Sequence, residues 1–162
     1  MQFANYLKPV YIFHLILFLS FSISVNNLIV LSYINLAFYI IAHITIIYLS
    51  FYFFNFLLFF IFFLYGIFFD IILLNNFGPH LLVFISFLLL VYFLKTKLIS
   101  LNQKNILYLV IILTFMMLIL EMILAEIILN YSFVKNQFFK ITITNAIIIL
   151  PIIFIFNKID KK

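Results

Sequence analysis

Asp70 stands alone in a wall of apolar side chains. No Asp, Glu, Lys or Arg occurs from Pro9 to Phe69, nor from Ile71 to Leu94. A carboxylate set among Phe, Ile and Leu costs several kcal/mol unless it is paired or reaches water. Charge-free stretches of this length also constrain the whole molecule. A soluble domain of 162 residues has too little interior to hide them, and the composition agrees: 69% hydrophobic, 8% charged, mean hydropathy +1.40. The expected class is an all-α, polytopic integral membrane bundle forming a single domain over residues 1–162.

A membrane-crossing helix needs roughly 20 apolar residues. The apolar runs divide at about 10–25, 28–49, 51–74, 80–94, 106–129 and 141–156, which predicts about six spans, or five if the second and third merge. Asn26-Asn27 break the first from the second. Only Ser50 hints at the next boundary, so length alone sets it there. Asn75 to Pro79 make a turn, with Pro79 suited to the first position of a helix. With both ends on one side, Lys8, Lys95, Lys97, Lys104, Lys158, Lys161 and Lys162 share a face, and only Lys135 and Lys140 lie opposite. Positive charge favours the cytoplasmic side, so both termini are expected there. Lys8, the apolar run after it and Ser22-x-Ser24 mimic a signal peptide; the membrane-embedded chain that follows makes a first span the better reading.

Much familiar chemistry is excluded. Cysteine is absent, which removes disulfides, thiolate ligands and thiol nucleophiles. All nine basic residues are Lys, confined to loops and tails, a pattern of membrane orientation rather than of nucleic-acid binding. The abundance of Phe, Ile, Asn and Tyr reflects AT-rich codons. No nucleophile elbow, metalloprotease helix, phosphate loop or zinc spacing occurs. No catalytic residue, metal ligand or cofactor is therefore expected, and the Phe run from Phe51 to Phe69 reads as lipid-facing and packing surface.

The unusual residues gather in one hairpin. Gly66 is one turn from Asp70 on nearly the same face, leaving room for a neighbouring helix or for the carboxylate's partner. Asp70 either holds a specific interaction or snorkels to the interface. Gly78 permits unusual backbone shapes, and His80 follows at a helix start whose free N–H groups suit an acceptor such as Asp70. That reading is a tied-down hairpin, preferred over a metal or proton-transfer site because one Asp and one His are too few ligands for a metal. Both glycines of the chain lie here, so a partner's transmembrane helix is expected against the third and fourth spans, at Gly66. In the fifth span, Glu121 and Glu126 are five apart and point about 140° away from each other, so they cannot share a paired-carboxylate site. Glu121 is expected to face inward toward an Asn, Tyr or His. Glu126 is expected to pair with Lys135 or Lys140. His14 and His43 read as isolated, satisfied interior histidines.

Gly66-x-x-x-Asp70, then Asn76-Phe77-Gly78-Pro79-His80-Leu81-Leu82, with Tyr92-Phe93-Leu94 closing the next helix, resembles the bacterial rod shape-determining protein MreD family. Gly66, Asp70, Gly78, His80 and Tyr92 fall at that family's motif positions. Pro151 in an apolar helix before a basic tail is also similar. The resemblance implies a multi-pass inner-membrane subunit of the cell-wall elongation machinery, without enzymatic activity. Its implied partners are an MreC-like membrane-anchored protein, an MreB-like actin homologue, and the glycosyltransferase and transpeptidase that build peptidoglycan. A second reading is the substrate-binding membrane subunit of a vitamin or metal uptake transporter, with Asp70, His80 and Glu126 lining a pocket. An intramembrane enzyme using Asp70 and His80 is a third.

Overall fold

The computed structural model describes residues 12–17, 33–74, 78–98, 103–129 and 135–160. Among these the chain is all helix apart from short connections. A helical stretch at 12–17 (α1) is followed by α2 (Tyr33–Tyr52), α3 (Phe56–Leu74), α4 (Pro79–Leu98), α5 (Gln103–Leu129) and α6 (Lys135–Asp160). Two of these, over Leu107–Ile128 in α5 and Phe138–Ile159 in α6, are long and apolar enough to cross a membrane. Leu36–Tyr52, Phe56–Ile71 and Pro79–Leu94 are shorter apolar stretches. Both boundaries of the expected 10–25 span lie outside the described residues.

The break between α2 and α3 falls at Phe53–Asn55, beyond the expected Ser50. Ser50 stays inside α2, where its hydroxyl donates to the Ile46 carbonyl at 2.7 Å. Asn55 marks the true boundary: its Oδ1 accepts from the Leu57 N–H at 3.3 Å and its carbonyl from the Leu58 N–H at 2.9 Å. An Asn in this position satisfies donors that a helix start leaves over. Pro151 sits inside α6 and is solvent- or lipid-facing rather than buried.

At the centre is α2, buried without interruption from Ala42 to Ser50, with α4, α5 and α6 packed around it and α3 held on α4. Side-chain pairs fix the directions. Lys140 lies over the Tyr33 ring and the Tyr48 hydroxyl donates to Asn157 Oδ1, so α2 and α6 run parallel. Gly66 meets Leu81 while Phe54 meets Tyr92, so α3 and α4 are antiparallel. α1 contributes His14, which is buried among the rings of Tyr48, Phe53 and Phe156 at 5.0–5.4 Å.

Burial on the outer helices recurs at helical spacing. In α4 it falls on Val83, Phe84, Phe87, Leu88 and Val91; in α5 on Val110, Leu113, Thr114, Met117, Leu118, Glu121 and Ala125. The opposite faces are no more polar. Phe56, Phe93, Ile127 and Phe154 are all more than two-thirds exposed. The polar residues Thr45, Ser50, Asp70, His80, Thr114, Glu121 and Asn145 are buried instead. Large apolar outer faces of this kind suit helices that cross a membrane.

Candidate functional site

The end of α3 and the start of α4 are joined through one carboxylate. α4 begins with Pro79, which has no N–H to satisfy; the remaining first-turn donors all reach Asp70. The N–H groups of Gly78 and Leu81 donate to Oδ2 at 3.0 Å, and that of His80 donates to Oδ1 at 3.0 Å. The His80 ring adds a fourth bond, from Nδ1–H to Oδ1 at 2.8 Å. Asp70 thus caps α4 from a neighbouring helix, where the helix dipole also favours negative charge. It is fully buried, so the snorkelling alternative does not describe it.

Gly66 explains how Asp70 comes so close. A Cβ on Gly66 would lie 2.5 Å from the Leu81 Cα and 3.1 Å from its Cβ. The missing side chain lets the two backbones touch. Here the expectation of a partner's helix at Gly66 is corrected: the space is filled by the chain's own α4. Gly78 is corrected too. Its backbone lies outside the left-handed region, and a Cβ there would meet nothing nearer than Ile128 at 3.8 Å. Gly78 serves through its N–H rather than through a special conformation.

From His80 the bonding continues across the bundle. His80 Nε2 lies 2.9 Å from the Tyr39 hydroxyl, which donates to Glu121 Oε2 at 2.7 Å. The same Oε2 lies 2.7 Å from His43 Nε2, and His43 Nδ1–H donates to the Tyr39 carbonyl, also at 2.7 Å. Asp70, His80, Tyr39, Glu121 and His43 therefore link α3, α4, α2 and α5 in one chain of polar groups. Phe69 and Phe84 wall it: the Phe69 ring is 5.6 Å from that of His80, and the Phe84 ring 5.6 Å from that of His43. Buried this way, the chain can share protons and hold four helices in register.

Glu121 lies on the buried stripe of α5, and its partners are a Tyr and a His. Its other oxygen, Oε1, is buried with no hydrogen-bond partner among the described residues, as are both side-chain polar atoms of Asn145 on α6. Glu126 is exposed on another face of α5, away from the Asp70 and Glu121 sites. Lys140, one of its expected partners, lies over the Tyr33 ring at 5.6 Å; the Lys135 side chain lies outside the described residues. Tyr92 is half-exposed and packs on Phe54 and Phe93, remote from the joint. Tyr39 was missed from sequence; His43 is a satisfied interior histidine as expected, but it is bonded to Glu121 rather than isolated. Their signal was present: two polar rings one turn apart in an apolar span, a spacing that places them on one face. Among the described residues, no three or more of His, Asp and Glu group so as to hold a metal ion.

No family model matches the chain, and no curated protein or solved structure matches it either.

Proposed function

We propose that this chain is a non-enzymatic, multi-pass inner-membrane subunit of a bacterial cell-wall elongation complex, similar to the MreD family, which maintains cell shape by holding peptidoglycan-synthesis proteins together. One observation carries the reading. Gly66, Asp70, Gly78 and His80, four of the five residues on which the resemblance rests, converge in a single buried joint.

Six crossings with both termini in the cytoplasm fit this role. α2, α3 and α4 have 20, 19 and 20 residues, hence lengths of about 30 Å, near the thickness of a bilayer's hydrocarbon core. The seven-to-two division of Lys supports the orientation. In it the joint lies beneath the outer face of the membrane. A partner would then dock on the apolar outer faces of the bundle through its own membrane helix, since the loops are short.

The test is purification of the tagged full-length protein from its own cells after crosslinking, with depletion of the protein in parallel. Recovery of an MreC-like membrane-anchored protein, and rounding of depleted cells, is the expected result. The buried, unpartnered atoms of Glu121 and Asn145 favour a second reading, a small-molecule-binding subunit of an uptake transporter. Recovery of a pair of ATPases, with cell shape unchanged on depletion, would support that reading and sink the first.

A further inference from the structure

We infer that the Asp70–His80–Tyr39–Glu121–His43 chain is a buried proton-binding site that takes up two protons beyond those of neutral histidines, a neutral tyrosine and two ionised carboxylates. The inference stands on hydrogen-bond geometry and does not depend on the cell-wall reading. Both ends of the chain only accept. At one end Asp70 already receives three backbone N–H groups; at the other is the Tyr39 carbonyl. Between them run five contacts of 2.7–2.9 Å: Asp70 to His80, His80 to Tyr39, Tyr39 to Glu121, Glu121 to His43, and His43 to the Tyr39 carbonyl. Each contact needs one hydrogen. Two neutral imidazoles and a phenol, with both carboxylates ionised, supply three.

The two missing hydrogens are also the two positive charges that balance Asp70 and Glu121. With them the chain is fully bonded and electrically neutral. Without either one, two acceptors face each other and a net negative charge remains in an apolar interior, which is the costlier state. The second proton lies in the 2.7 Å contact between Glu121 Oε2 and His43 Nε2. Among the described residues no other donor relieves Glu121, because its Oε1 has no partner there.

Among the described residues, the surrounding elements offer no substitute charge. α3 contributes Asp70, α4 His80, α2 Tyr39 and His43, and α5 Glu121. α6 contributes buried Thr144 and Asn145, which do not titrate, while its Lys140 lies over the Tyr33 ring. Proton loss therefore releases α2 from α4 or from α5, and the site acts as a proton-linked latch between them.

Two substitutions change the proton count by different amounts. In Glu121→Gln the amide NH2 can donate to both His43 and Tyr39, Tyr39 then donates to His80, and all five contacts are met with neutral histidines. In Tyr39→Phe the chain is cut, and only the Glu121–His43 half still needs an added proton. The full-length protein in lipid nanodiscs at neutral pH would be read by nitrogen-15 NMR of its imidazoles and by the infrared band of protonated carboxyl groups. Relative to wild type, the summed imidazolium and carboxylic-acid count should fall by two in Glu121→Gln and by one in Tyr39→Phe. Should Glu121→Gln fail to fold, Tyr39→Phe decides alone. A folded variant with an unchanged count would overturn the proposal.

Discussion

Gly66→Ala is expected to push α3 and α4 apart and to destabilise the protein by about 1–3 kcal/mol, the usual cost of overpacking a tight contact. The added Cβ would sit 2.5 Å from a backbone atom, the Leu81 Cα, and not from the flexible end of a side chain. Shortening the neighbour therefore should not help, and Leu81→Ala should fail to rescue Gly66→Ala. Gly66→Leu should be worse still. Gly78→Ala is the internal contrast, because its Cβ meets only ordinary contact at 3.8 Å, and it should leave stability within about 0.5 kcal/mol. Denaturation of the purified proteins in mixed micelles would rank the four. A Gly66→Ala protein as stable as wild type that has lost a partner would restore the external docking role that the geometry removes.

Asp70→Leu should cost the most of any single change in the joint. It strands the N–H groups of Gly78, His80 and Leu81 and the ring N–H of His80. A buried donor left without an acceptor costs about 1–3 kcal/mol, so even partial relaxation leaves a loss large against the stability of a small bundle. The protein should fail to accumulate in membranes. Asp70→Asn keeps one acceptor oxygen and much of the shape, and should accumulate to an intermediate level. Quantitative immunoblotting of membrane fractions checks the order wild type, Asn, Leu. Equal levels for all three would mean that the carboxylate is dispensable to the fold.

The hairpin was legible because its residues are rare. Gly66, Asp70, Pro79 and His80 break an otherwise uniform text, and general rules for helix starts and buried carboxylates suffice to join Asp70 to the first turn of α4. The interior direction of Glu121 followed from the cost of exposing a carboxylate to apolar surroundings. Helix facing was not legible. Both sides of these helices are apolar, as Phe84 within and Phe93 without illustrate, so hydrophobic periodicity carries no direction. Polar residues carry it instead, and Tyr39 would have been found by asking which polar side chains share a face with His43. The α2–α3 boundary was misplaced because length alone set it; Ser50, its only hint, bonds back to its own helix backbone. Asn55, a good helix-start residue, was overlooked amid the surrounding Phe. Nor could Gly66 reveal from sequence whether the helix it admits is another protein's or its own.

The six-span arrangement, which places the Asp70 joint beneath the outer face, is most directly tested by site-specific labelling. The chain contains no cysteine, so Gln2→Cys, Asn76→Cys and Lys162→Cys each introduce a single reactive thiol. Intact cells would be treated with a membrane-impermeant maleimide, before and after the inner membrane is opened. Asn76→Cys should label in intact cells, and Gln2→Cys and Lys162→Cys only once the membrane is opened. Labelling of one terminus but not the other in intact cells, or protection of residue 76, would contradict the arrangement.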